Sequence, residues 1–113
     1  MQRGDLYLAP FLYADLGEAK RRPVCIVSGA AFNEGPDLIV AMVTSSRARL
    51  NAPGIGDVPL GDWRTAGLLA PSTGRAGRLQ TMEVSLLERR LGALGERDLV
   101  LVSSALQQVL SLD

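Results

Sequence analysis

Over the first two-thirds of the chain, apolar residues alternate with polar ones or run in short blocks, separated by breaks rich in Gly and Pro. That pattern predicts β-strands joined by turns. Leu6 to Phe11 is apolar on both faces, with Leu6, Leu8 and Pro10 opposite Tyr7, Ala9 and Phe11. A polar loop follows, holding Asp15-Leu16-Gly17-Glu18 and then Lys20-Arg21-Arg22. Pro23 biases Arg22 towards an extended backbone and opens a strand through Ser28. Asn33-Glu34-Gly35-Pro36-Asp37 predicts a turn, and Leu38 to Ser45 is the strongest strand. Its alternation puts Leu38, Val40, Met42 and Thr44 on one face, and Ile39, Ala41, Val43 and Ser45 on the other. A second irregular stretch, Ala52 to Asp57, leads to a short strand near Val58-Pro59-Leu60. Trp63 to Leu69 is expected to hold a turn or short helix, and strands are expected near Ser72–Ala76 and Gly77–Met82. Ser85-Leu86-Leu87-Glu88 has capping-box spacing and predicts a brief helical turn before Arg89–Leu94 returns to the sheet.

From Gly95 the period changes. Leu99, Val102, Leu106 and Val109 recur at helical spacing, and Ala105 and Leu110 widen the stripe. Glu96 and Asp98 near its start suit the positive end of the helix dipole. Many short strands closed by one terminal helix predict a mainly β protein with a C-terminal α-helix, a small, strongly bent sheet or partly closed barrel.

Composition narrows the chemistry. At 113 residues and 47% hydrophobic, the chain is expected to form one domain with an ordinary core. It has no histidine, so Ser-His-Asp and Cys-His catalysis within one subunit, and histidine-ligated zinc, are excluded. Its one cysteine, Cys25, lies in the apolar run Val24-Cys25-Ile26-Val27 and is expected to be a small buried hydrophobe. The start of the chain lacks the order of a signal peptide, and no apolar run approaches the ~20 residues of a membrane span; a cytoplasmic protein with no membrane contact is expected. The charge is balanced at twelve basic against twelve acidic residues, but unevenly spread. Residues 1–80 carry nine basic side chains against seven acidic, and the rest carry three against five. That balance argues against non-specific duplex DNA binding and leaves room for a local basic site for a short single strand.

No metal site is expected, since the carboxylates Asp5, Asp15, Glu18, Glu34, Asp37, Asp57 and Asp62 are scattered through turns. Gly54-Ile55-Gly56 lacks the third glycine of a phosphate-cradling loop. The remaining candidates are donors suited to a phosphate. Lys20-Arg21-Arg22 precedes one central strand, and Thr44-Ser45-Ser46-Arg47 ends the next. If consecutive strands pair antiparallel, Arg22 and Thr44 come side by side, a guanidinium and a hydroxyl able to face one phosphate. The plain alternative is a solvated basic loop and a threonine ending a strand.

The sequence resembles the MazF/PemK/Kid family of toxin endoribonucleases from type II toxin–antitoxin systems. The resemblance rests on Arg3-Gly4-Asp5-Leu6-Tyr7, Arg21-Arg22-Pro23-Val24-Cys25-Ile26-Val27-Ser28, Ile39-Val40-Ala41-Met42-Val43-Thr44-Ser45 and Leu79-Gln80-Thr81-Met82-Glu83, in order along essentially the whole chain. It implies an SH3-like small barrel, a homodimer, a single-stranded RNA substrate and a cognate antitoxin. It also implies cofactor-free, metal-independent cleavage in which the ribose 2′-hydroxyl attacks the adjacent phosphate. The family's catalytic Arg before Pro falls on Arg22 and its catalytic Thr on Thr44. RNA contacts are expected from Lys20, Arg21, Ser45, Ser46, Arg78, Gln80 and Thr81. Gln80 stands where many members carry Arg, and Arg78 where Gln is common. The first loop, Leu12 to Lys20, lacks the usual Glu-Gln-Gly, with Gly17-Glu18 as its counterpart. Other readings are a non-catalytic barrel toxin that binds a protein target such as DNA gyrase, and an inactive RNA-binding module.

Overall fold

In a computed structural model that describes residues 1–12 and 19–112, the chain forms one curled antiparallel sheet and a terminal helix. The reading of Asp15–Glu18 lies outside the described residues. The elements are β1 (Asp5–Leu12), β2 (Ala19–Ile26), α1 (Ala30–Asn33), β3 (Asp37–Thr44), α2 (Arg47–Asn51), β4 (Asp57–Pro59), β5 (Thr73–Glu83), a 3-10 turn at Val84–Leu86, β6 (Arg89–Ala93) and α3 (Glu96–Leu110). Strand order is β4-β5-β3-β2-β1-β6.

Strand β3 explains the layering. Its two faces enter two different hydrophobic cores, as a strand buried on both sides requires. Ala41 and Val43 pack with Leu6, Cys25, Val102 and Leu106, between the sheet and α3. Leu38, Val40 and Met42 pack on the other side with Ala9, Phe11, Val24 and Ile26. The same division accounts for β1, apolar on both faces because Leu6 serves one core and Ala9 and Phe11 the other. Burial pushes the Cys25 thiol up to about 12, so it stays protonated, in keeping with a packing role.

Several elements differ from the sequence expectation. Lys20, Arg21 and Arg22 belong to β2 and not to a loop; they pair with Phe11, Pro10 and Ala9 of β1. Three consecutive charges mask the period-2 signal that pairing supplies. The strands expected at Ser72–Ala76 and Gly77–Met82 are one strand, β5, whose pairing with β3 jumps from Ala41↔Leu79 to Met42↔Arg75. Residues 76–78 are therefore a bulge, and Gly77 marks it. The brief helical turn forms as expected before β6, but earlier than the Ser85–Glu88 spacing implies: Glu83 takes the N-cap position of the 3-10 turn Val84–Leu86, without a side-chain cap. In α3, Val102, Ala105 and Leu106 are buried as expected, but Leu110 in the last turn is exposed. Val109 of the same turn, by contrast, packs against the core. Asp98 stands in the first turn of α3 as expected, and its carboxylate also reaches across to the turn after β4, accepting the Gly61 and Asp62 N–H groups at 3.1 and 2.9 Å.

Candidate functional site

The site begins with the register between β2 and β3. Val24 pairs with Met42, Cys25 with Ala41 and Ile26 with Val40. Continuing that register by one pleat brings Arg22 level with Thr44, on the face shared by Val24 and Met42. Pro23 lies between, with no N–H to give, and the ladder stops at the residue above it. Arg22 is half-buried and Thr44 is buried. The chain turns sharply after Thr44, whose Oγ1 accepts the Ser46 N–H at 3.2 Å. A hydroxyl has one proton to donate besides its two lone pairs, so this bond fixes Thr44 without using its donor. Ser46 in turn is the N-cap of α2, its Oγ accepting the Arg49 N–H at 3.4 Å.

A third residue completes the row. Thr44 pairs with Thr73 of β5, which is fully buried and whose Oγ1 has no hydrogen-bond partner among the described residues. Two threonines are thus neighbours across β3 and β5. The sequence offers little to find Thr73 by, because its place depends on the bulge at 76–78.

Of the other expected contacts, Lys20 is exposed and shares the face of Arg22, two residues along β2. Arg21 points to the opposite face, and its Nε lies 2.9 Å from a Glu88 carboxylate oxygen. Ser45 is exposed and lines a cavity with Arg22. Gln80 pairs with Val40 on the Arg22 face, whereas Thr81 pairs with Ile39 on the other. Arg78 is exposed in the bulge. The structure therefore brings Lys20, Arg22, Thr44, Ser45 and Ser46 to one end of the sheet. It sets Gln80 about 13 Å further along, four residues up the β3 ladder.

The comparisons with known proteins agree with this architecture. The family model of the PemK-like, MazF-like toxin of type II toxin–antitoxin systems matches residues 2–110. The chain belongs to that family. Among solved structures, an endoribonuclease in complex with its cognate antitoxin from a mycobacterial species superposes with a TM-score of 0.81 at 22% identity, covering 100% of this chain and 97% of that one. Toxin MazF-mt6 from Mycobacterium tuberculosis gives 0.76 at 24% identity, covering 96% and 98%. MazF from Deinococcus radiodurans gives 0.76 at 22% identity, covering 98% and 96%. These likenesses establish the fold. No curated protein is a significant match to the sequence.

Beside the Thr row this MazF-like chain holds a second charged group. Asp57 pairs with Arg75 across β4 and β5, and its Oδ1 accepts the Arg75 Nε–H at 3.0 Å. Its Oδ2 accepts the Gly54 N–H at 2.9 Å, and Arg49 Nη1 lies 3.8 Å away. Burial pushes the Asp57 carboxyl up, but the Gly54 N–H and the two guanidiniums outweigh it and hold its pKa below the ordinary carboxylate value. A depressed carboxyl pKa contributes stability that is present above the unfolded-state value, about 4, and lost as pH falls through the folded one. Asp57→Asn should therefore lower stability by about 1–2 kcal/mol at pH 7. The gap from the unsubstituted protein should close in acid. Thermal unfolding of both proteins at pH 7 and pH 3 measures this; an equal gap at both values would show that the charge contributes nothing.

Among the described residues no helix is long and apolar enough to cross a membrane, and no three carboxylates or thiols gather as a metal site.

Proposed function

We propose that this toxin is a sequence-specific, metal-independent endoribonuclease acting on single-stranded RNA in the cytoplasm, as a homodimer held in check by a cognate antitoxin. What supports the reading is the antiparallel register Val24↔Met42 and Cys25↔Ala41, which, continued by one pleat, would bring Arg22 level with Thr44 at the open end of the sheet. A phosphodiester placed there meets a fixed cation and a hydroxyl donor. When the ribose 2′-oxygen attacks the adjacent phosphorus, its proton passes to solvent water and the 2′-O–P bond forms; the bond to the 5′-oxygen breaks, that oxygen takes a proton from water, and negative charge grows on the non-bridging oxygens during the step. Preorganised donors stabilise that charge more than they stabilise the ground state. Arg22 meets it as a guanidinium, and Thr44 donates a hydrogen bond from its hydroxyl to one of the oxygens. Arginine stays protonated far above neutral pH, so Arg22 acts through its charge and not as a base. The products are a 2′,3′-cyclic phosphate and a 5′-hydroxyl. Family membership and the endoribonuclease among the structural relatives favour the same reading.

The test is cleavage of single-stranded RNA by the purified protein in excess EDTA. Fragments with 5′-hydroxyl ends, labelled by a kinase without prior phosphatase treatment, are expected, and the protein should sediment near twice its 12.0 kDa chain mass. A strict metal requirement, or 5′-phosphate ends, would sink the mechanism.

A further inference from the structure

We propose that the cavity beside Arg22 is a nucleobase pocket, and that Arg89 at its mouth selects a guanine next to the cleaved bond. This rests on the nuclease reading for its place along the RNA, though not for the existence of the pocket. The cavity measures about 290 Å³. That is at the small end of ligand sites, and suits one base.

Its floor is a row across the sheet. Arg89 of β6 pairs with Leu8 of β1, and Leu8 pairs with Pro23 of β2, so the three side chains leave the same face. Val43 extends this apolar floor, and Arg22 and Ser45 border it at the open end of the sheet. The opposite wall is the loop Gly67–Ala70. That wall is held in place by backbone contact. Gly67 has φ +93°, and a Cβ there would collide with the Leu91 carbonyl oxygen; a Cβ on Gly92 would collide with that of Ala66. Loop and strand β6 therefore touch with no side chain between them. Leu69 stands at the rim, 98% exposed.

Charge distinguishes Arg89 from its neighbours. Glu88 is paired with Arg21 at 2.9 Å, and Arg90 lies 3.5 Å from Asp5. Arg89 makes no ion pair among the described residues, yet it borders an otherwise largely apolar hole. A base has apolar faces for such walls and a polar edge for such a mouth. The guanidinium fork matches two acceptors side by side, which guanine presents as O6 and N7. Arg22 also lines the cavity, from the open end of the sheet, so a phosphate attached to that nucleotide would lie towards the second guanidinium. The apolar walls supply affinity for any base and the fork supplies the choice.

Two measurements separate this proposal from the nuclease reading. In NMR titrations with the four 5′-nucleoside monophosphates and inorganic phosphate, GMP should shift the Gly67, Leu69 and Ala70 amides and bind at least about tenfold tighter than the others. Arg89→Ala should erase that preference, Arg89→Lys should not restore it, and Ala70→Phe should block binding by filling the cavity. On a randomised single-stranded RNA pool, cut sites should share a guanine beside the cleaved bond, a preference Arg89→Ala abolishes. If the protein cuts no RNA but still binds GMP at this loop, the nuclease reading falls and the pocket stands. If it cuts RNA with the same preference in Arg89→Ala, and GMP shifts the loop no more than phosphate does, the pocket is overturned and the nuclease stands.

Discussion

Arg22→Ala should lower RNA cleavage by about 10²–10³-fold, the usual cost of removing one preorganised donor from a developing oxyanion. Thr44→Val should do comparable damage while nearly preserving shape. Thr44 has a second duty, because its Oγ1 also accepts the Ser46 N–H. A loss in the valine variant could then reflect a loosened turn. Thr44→Ser separates the two duties, since it keeps a hydroxyl for both and should retain most activity. Arg22→Lys keeps a charge but gives up the planar fork, and should fall between wild type and alanine. Initial rates on one RNA oligonucleotide, with thermal unfolding as a folding control, measure all four. Undiminished cleavage by Arg22→Ala would remove the guanidinium from the mechanism, whatever the threonine variants did.

Asp98→Ala should be the most destabilising single polar change in the described chain. The carboxylate is 1% exposed and joins two elements distant in sequence, accepting the Gly61 and Asp62 N–H groups. Deleting it strands two partly buried backbone donors and leaves a void beside α3. The cost should be about 3 kcal/mol, a fall in Tm of roughly 10 °C or more for a domain of this size. Asp98→Asn keeps one acceptor oxygen and should lose about half as much. An unchanged Tm in the alanine variant would mean that water replaces both bonds without penalty. The loop that begins at Gly61 ends as the cavity wall at Ala70, so a partly folded Asp98→Ala protein should also bind nucleotide more weakly.

What was legible in the sequence was whatever depends on period. The two faces of Leu38–Ser45 are the two faces of β3, and the stripe through Val102 and Leu106 is the buried side of α3. From those two elements the mainly β class with a terminal helix follows. Features set by tertiary partners were not legible. The 4-residue α1 and 5-residue α2 are too short to show a helical period. Lys20–Arg22 looked like loop because nothing in a run of charges reveals the strand beside it. Asp98 has a helix-start signature that is correct for its position and silent about the turn it holds. Thr73 and Arg89 carry no local signal. One is placed by a bulge and the other by a pairing between the sixth strand and the first.

The backbone contact between Gly67 and Gly92 has a consequence for solubility as well. β6 is one of two outer strands, and an outer strand with open N–H and C=O groups is a template on which further chains can add. Here the Ala66–Gly67 backbone lies along it, while the other outer strand, β4, has 3 residues and ends in Pro59. Both borders are thus unsuited to continuing the sheet. Replacing either glycine would push the loop away from β6 and uncover one border. The damage should then appear first as aggregation on expression, before any change in the chemistry at Arg22.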